Sequence, residues 1–302
     1  MNPHLAKNER FGKLTSLTFV TIAYVIALAA AILSFPFFKQ MGLGDIGAVF
    51  AADMVGTVVI WLSGLPFANA SFYDPYWSVA PVPIAIYWWF LGDYDMSLRD
   101  VLFMTVLMAW AIRLTTNWIR DWPGLVHEDW RYQDLRRQNG KLYQLVNLSG
   151  ICGFPTLLVF LGMLPAYVVL AKDNPPNMIF DIAAFVAGMF AVILQFWSDE
   201  EMRSFRKRPK GGEEVMTDGW WAWSRHPNYF GEVLMWFSLF LFALSAGGLA
   251  YAWTGIGALA MFLLFWFISI PMMDNRSAAK RPAYAEHMKH SSRFFLVPPK
   301  KK

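Results

Sequence analysis

Apolar positions in this chain form long unbroken stretches, with little helical-stripe or alternating pattern. Eight stand out, at residues 17–38, 47–65, 77–92, 101–118, 149–171, 178–197, 229–246 and 249–270. A bilayer core takes about 20 mostly apolar residues per helix. Backbone amides in hydrocarbon must be satisfied within the segment or in a closed barrel. Ile22–Leu33 is apolar on every side, which excludes the period-two pattern of a barrel strand. The expectation is all-α: a polytopic membrane helix bundle of about seven or eight transmembrane helices in a single integral-membrane domain. The third stretch is the shortest and carries Pro81 and Pro83. The first is too long for the apolar part of a signal peptide, no small-residue cleavage site follows it, and further spans come after.

Composition supports this. Of 302 residues, 56% are hydrophobic and only 16% charged, against about 45–50% and about 25% in an average soluble domain. Mean hydropathy is +0.35. Disordered, collagen-like and ordinary water-soluble chains are excluded. Cys152 is the only cysteine, so a disulfide framework and a Cys-based zinc site are excluded too. The net charge of +4 would suit nucleic acid, but the basic residues follow membrane topology. All but four of the 26 (Lys39, Arg99, Arg113 and Lys172) lie in four regions: the N-terminus, the loops after the fourth and sixth stretches, and the tail ending in Lys300–Lys302. With eight spans these regions share one side, so both termini are expected in the cytoplasm. No nucleic-acid partner is expected, and no protein partner can be inferred.

Charge inside a membrane is costly and marks candidate sites. Trp110, Arg113, Asn117 and Arg120 fall at i, i+3, i+7 and i+10, on one helix face. Arg113 either lines a cavity or snorkels to the headgroups. Asp74, in Ser71–Ser78, is either an N-cap before Pro75 or a desolvated acid able to hydrogen-bond a carbonyl. Asp53 has no assigned role. Trp88, Trp89, Trp220, Trp221 and Trp223 read as interfacial belt residues.

The densest polar chemistry is at residues 198–232. Asp199, Arg203 and Arg206 share a helix face, and Gly211–Gly212 breaks the chain before Ser-Arg-His-Pro-Asn-Tyr-Phe-Gly-Glu at Ser224–Glu232. Pro227 suits a first helical turn, with Ser224 or His226 as cap. A helix start with free amides beside basic residues is a site for an anion, and a dinucleotide pyrophosphate suits it. No Gly-x-Gly-x-x-Gly or Walker pattern is present, so any nucleotide binds between helices. No metal site is expected.

Ser224–Glu232 resembles the signature of the steroid 5-alpha-reductase C-terminal-domain family, closest to its bacterial membrane proteins. The resemblance extends through Ser198-Asp199 to Arg206-Lys207, through Arg281–Tyr284 to Arg293–Pro298, and more weakly to Asp74–Ser78 and Arg113–Tyr132. It implies a membrane bundle whose C-terminal half, 149–302, holds NADPH, with the lipid substrate toward 1–148. It also implies reduction of a carbon–carbon double bond conjugated to a carbonyl, in a bacterial inner membrane. Asp199, Arg206, Asn228 and Arg293 are the implied NADPH contacts. Arg203, Arg225, His226 and Tyr229 join them as cofactor-binding candidates. Asp74, Tyr76 and Arg113 are the catalytic candidates; Trp110, Asn117 and Glu232 are the substrate-binding ones. Asp74 stands where the family's steroid enzymes have Glu, and Trp110 where they have a Tyr. Trp supplies no phenolic proton.

Two other classes compete. S-adenosylmethionine-dependent methyltransferases of the isoprenylcysteine or phospholipid type share an Arg-His-Pro-x-Tyr-x-Gly start, usually with a Glu-Glu pair after the last span. Here that stretch reads Met272-Met-Asp-Asn-Arg276. Glu232 and the basic loop favour a phosphate-bearing cofactor. The other is a non-enzymatic transporter or scaffold; a transporter would place polar residues deep in several spans, often with paired repeats. The expected partners are a lipid-like small molecule and the membrane lipids.

Overall fold

The structure is a computed structural model and describes residues 3–92, 96–172, 174–175, 177–209 and 214–298. Lys210, Gly211–Gly212 and Lys300–Lys302 lie outside them. Every regular element among the described residues is helical. Among the described residues, five helices are long and apolar enough to cross a membrane: Lys13–Gln40, Asp45–Phe67, Trp130–Leu170, Met178–Arg206 and Pro227–Lys280. The protein is an integral-membrane, polytopic helix bundle.

Helix α1 (Lys13–Gln40) and α2 (Asp45–Gly64) carry the first two apolar stretches and pack along each other. The third stretch is divided into α3 (Tyr76–Val79) and α4 (Pro81–Leu91), which is too short at 11 residues to join the five. Next come α5 (Leu98–Asp121), α6 (Trp130–Asn139) and α7 (Tyr143–Val146). A π-helical turn at Asn147–Gly153 leads into α8 (Phe154–Leu170), and α9 (Met178–Arg206) follows. Helix α10 (Pro227–Gly247) ends at Gly248, whose φ of +60° suits a residue without Cβ. The chain then packs back on α10 as α11 (Ile256–Leu264). A second π-helical turn, Phe265–Ser269, precedes α12 (Ile270–Lys280) and α13 (Pro282–His290). The last two apolar stretches thus lie within one 54-residue helical run.

The chain divides into two compact units. The first is Met1–Tyr87 with Ala111–Phe160, and the second Trp88–Trp110 with Leu161–Lys302. Val20, Ile60, Phe72, Tyr73, Tyr76 and Trp122 belong to the first unit's core. In the second, α9 and α10 pack closely because small residues let them. A Cβ on Gly231 would lie 2.5 Å from Gln195 Cγ, and one on Gly188 2.7 Å from Ser238 Oγ. Trp88, Trp110 and Trp236 are fully buried here. Trp88 is therefore no belt residue: its ring sits edge-on to Tyr167, with centroids 5.8 Å apart.

A buried ion pair ties this second unit. Arg99 Nε donates to Asp181 Oδ1 at 2.7 Å, and Arg99 Nη2 donates to the Pro175 carbonyl at 2.8 Å. Ser245 Oγ donates to the same carboxylate oxygen at 2.6 Å. Removing one partner of such a pair strands the other charge, at a cost of about 3–5 kcal/mol. Asp181→Ala should lower unfolding free energy in detergent by about that much, and adding Arg99→Met should recover much of it. A single variant as stable as the wild type would show that the pair does not hold the helices.

Candidate functional site

In the first unit the polar groups converge on the segment between α2 and α3. Its backbone is held from residues 124–136. Asn69 Nδ2 donates to the Leu125 and His127 carbonyls at 3.0 and 2.9 Å, and its Oδ1 accepts from Ser71 N at 2.9 Å. The fully buried Glu128 carboxylate accepts from Ala70 N at 2.8 Å, from Arg136 at 3.1 Å and from His4 at 3.0 Å. This gives the charged His127–Tyr132 stretch a physical role: it fixes the loop that carries Asp74.

Asp74 itself is partly buried. The N-cap position of α3 is Pro75, so Asp74 does not cap it. Its Oδ1 instead accepts from Tyr132 Oη at 2.7 Å. Two residues further on, Tyr76 Oη donates to Asp53 Oδ1 at 2.7 Å and also lies 3.0 Å from the Asp53 carbonyl. Gly56 makes that approach possible, since a Cβ there would lie 2.9 Å from the phenolic oxygen. Asp53 is buried, and its second carboxyl oxygen has no hydrogen-bond partner. Tyr73 stacks on Tyr76 with ring centroids 5.2 Å apart. The Tyr73 hydroxyl meets Thr156 Oγ1 at 2.8 Å, and Thr156 meets Thr57 at 2.8 Å. The first unit thus holds two carboxyl–phenol pairs. Arg113 and Asn117 lie partly buried on α5.

The remaining candidates belong to the second unit. Asn228 Nδ2 donates to Asp199 Oδ1 at 3.3 Å, bringing two of the implied cofactor contacts together. Glu232 accepts from the Trp110 indole at 3.0 Å and from the Trp236 indole at 3.1 Å. Arg203 pairs with Glu200 one turn away, and Arg206 is exposed at the end of α9. Arg293 donates to the Trp266 carbonyl at 2.6 Å and lies over that indole.

Neither expected side chain caps α10. His226 occupies the cap position without a capping bond, while Ser224 Oγ accepts from His226 N at 3.1 Å and donates to the Phe294 carbonyl. The helix start is also less open than the sequence suggests. Tyr229 N donates to Asn228 Oδ1 at 3.0 Å, and Phe230 N to the His226 carbonyl at 3.1 Å. Arg225 and His226 both turn to Asp274. Arg225 Nη2 donates at 3.0 Å, His226 Nε2 lies at 2.8 Å, and Tyr284 Oη donates at 2.7 Å.

Sequence reasoning missed Tyr132, Glu128, Asp274 and Tyr284, and gave Asp53 no role. Asp53 did carry a signal, as a carboxylate within an apolar stretch. Met272–Arg276 is notable in sequence only for the Glu pair it lacks, yet Asp274 is the centre of a buried cluster.

The family is settled by comparison with known proteins. The model of a family described as a protein of unknown function, DUF1295, matches residues 60–291. This chain belongs to that family. An uncharacterized protein of Schizosaccharomyces pombe is 25% identical over 260 residues, covering 78% of this chain and 75% of the relative. The steroid 5-alpha-reductase DET2 of Gossypium hirsutum is 25% identical over 156 residues, covering 47% of this chain and 55% of that enzyme. The DUF1295 chain is thus related to steroid reductases. No solved structure matches significantly.

Burial pushes the Asp74 carboxyl up to about 6, and the Tyr132 bond only partly offsets this. An unfolded Asp titrates near about 3.9. Between those values the native state holds a proton that the unfolded chain has lost, so this group makes stability fall as pH rises through that window. Asp74→Asn should remove that component. Melting temperatures of both proteins across the window check it; parallel curves would show that Asp74 does not titrate there.

Proposed function

We propose that this protein is a membrane-embedded, NADPH-dependent reductase. Its substrate is a steroid-like or other lipid with a carbon–carbon double bond conjugated to a carbonyl. The observation that carries the reading is the contact between Asp199 and Asn228. These residues come from different helices, and the resemblance assigns both to one cofactor. The chemistry of the neighbouring groups also fits a phosphate-bearing dinucleotide. Arg225 is buried with its Nε lacking an acceptor, and Arg206 adds an exposed guanidinium. A planar guanidinium fork matches a phosphate well.

NADPH, when bound, supplies the hydride. Asp199, Asn228, Tyr229 and the nearby arginines hold and orient it. In the first unit, Asp74 with Tyr132 and Asp53 with Tyr76 are the groups suited to polarising a carbonyl as negative charge develops on its oxygen. Such donors, fixed before the reaction, supply a few kcal/mol each. Tyr132 also answers the objection raised by Trp110, because it places a phenol against the acid. Arg113 and Asn117 add polar character along α5. The basic loops direct both termini to the cytoplasm, and the resemblance favours a bacterial inner membrane. A lipid substrate accounts for the membrane setting, since it never has to leave the bilayer.

Thermal stability in detergent with NADPH, NADH and S-adenosylmethionine tests the assignment. A ligand at 100 times its dissociation constant stabilises the native state by about 2.7 kcal/mol. NADPH should raise the melting temperature, and Asn228→Ala should abolish the shift. A shift with S-adenosylmethionine alone would make the protein a methyltransferase instead. For the acid, Asp74→Asn should keep the NADPH shift and lower turnover of an enone lipid at least tenfold; unchanged turnover would remove Asp74 from the mechanism.

A further inference from the structure

Asp274 is the meeting point of three side chains from two places in the sequence. Arg225 and His226 precede α10, and Tyr284 comes from α13. Its Oδ1 accepts from Tyr284 at 2.7 Å and lies 2.8 Å from His226 Nε2. Arg225 Nη1 reaches on to the Met288 and Ser291 carbonyls at 3.1 and 2.8 Å. The backbone is stitched as well: Arg225 N donates to the Ser292 carbonyl at 2.9 Å, and Val297 N to the Trp223 carbonyl at 3.1 Å. All of these groups are buried or partly so except Val297 and Trp223.

The hydrogen-bond count leaves two atoms over. A carboxylate only accepts, so His226 Nε2 carries the hydrogen in this pair. The ring is further fixed by stacking on Tyr229, with centroids 5.2 Å apart and planes 7° from parallel. Among the described residues Arg225 Nε is buried with no hydrogen-bond partner, and the bond to Asp274 leaves His226 Nδ1 outside the pair. Both residues are more than nine-tenths buried, at 6% and 8% exposure. A buried donor without a partner is costly, so a ligand oxygen that matches it is favoured there. The guanidinium Nε–H can only donate, and a phosphate oxygen brought against Nδ1 would be met by a proton there, so that the ring donates through Nδ1 in the complex. Two such donors side by side select an anionic oxygen.

We propose that Asp274 is a positioning residue: by holding His226 through Nε2 and Arg225 through Nη2, it presents Nδ1 and Nε to a phosphate group of the bound nucleotide. This rests on the nucleotide reading above and deepens it. Carboxylates that orient a histidine in this way set which ring nitrogen is available. The tail from α13 onward is then part of the site's support, since Tyr284 and the carbonyls of Met288 and Ser291 complete the same cluster.

Two substitutions at one position separate the ring atoms. Gln places its amide near Nε2, and Asn places its amide near Nδ1. NADPH affinity is read by fluorescence, inorganic pyrophosphate by thermal shift, and tail docking by tryptic cleavage at Lys289 and Arg293. His226→Gln should keep the tail protected yet raise the NADPH dissociation constant at least tenfold. His226→Asn should bind NADPH within about threefold of wild type, and Asp274→Asn should weaken binding as His226→Gln does. If His226→Gln unfolds, the comparison of Asp274→Asn with wild type decides. Equal affinity in all variants, or an Asn variant no better than the Gln one, overturns the proposal while leaving NADPH binding intact. If wild type ignores NADPH but binds pyrophosphate with the expected order among variants, the reductase reading fails and the phosphate contact stands. If it binds neither, both fall.

Discussion

A polar group taken out of water is costly unless it finds a partner, and the buried carboxylates Glu128, Asp181 and Asp274 find theirs in residues distant in sequence. The backbone solves its own part by becoming helical. The side chains cannot, because neighbours on the same helix are mostly hydrocarbon. Glu128 meets Ala70, Arg136 and His4; Arg99 meets Asp181; Asp274 meets Arg225, His226 and Tyr284. Hydrophobic contact alone would let helices slide against lipid or one another at little cost. These sparse polar contacts fix which helix lies against which, and at what height.

The same constraint explains what sequence could reveal. The eight apolar stretches predict helices, and helices occupy all eight. Long runs need no knowledge of neighbours, since length and hydropathy alone imply the element. The third stretch was marked by its prolines, and it is there that the helix is divided, with Pro81 opening α4. Asp199 and Asn228 are two of the four residues that the resemblance implies as cofactor contacts, and their side chains touch. Periodicity groups residues on one helix face, but it says nothing about which face of another helix lies opposite. Tyr132 is 58 positions from Asp74, and His226 is 48 from Asp274. No spacing rule covers such distances. The capping expectations at Asp74 and Ser224 failed for a related reason. Local sequence offered a helix end, whereas Tyr132 and Phe294 offered these side chains better partners.

Trp88 illustrates the opposite error. An aromatic near the end of an apolar run is statistically a belt residue. Here the run ends in a short helix whose last turn is packed within the second unit, and the indole is enclosed against Tyr167. The same holds for Trp110 and Trp236, whose rings lie 5.0 Å apart with both indole N–H groups directed at Glu232. A carboxylate at that depth is tolerable because two donors meet it.

The buried ionic clusters differ in how completely their carboxylates are satisfied. Around Asp181, Arg99 and Ser245 supply donors, and the guanidinium reaches on to a main-chain carbonyl. Glu128 is likewise met on both oxygens. Both carboxylates are met on the oxygens that hold their neighbours, although Arg136 Nε beside Glu128 is itself buried without a partner. Asp53 keeps an unpartnered carboxyl oxygen beside a phenol, and Arg225 an unpartnered Nε. Leaving a buried polar atom unmatched costs about 1–3 kcal/mol. A protein carries that cost without return only if packing forces it. Gly56 argues that packing does not force it at Asp53, because the absence of a side chain there is what lets Tyr76 reach the carboxyl at all. On the proposed reading, a ligand would complete the hydrogen bonding at two such places: a carbonyl at the Asp53–Tyr76 acid–phenol pair, and a phosphate at the Arg225–His226 guanidinium–imidazole pair.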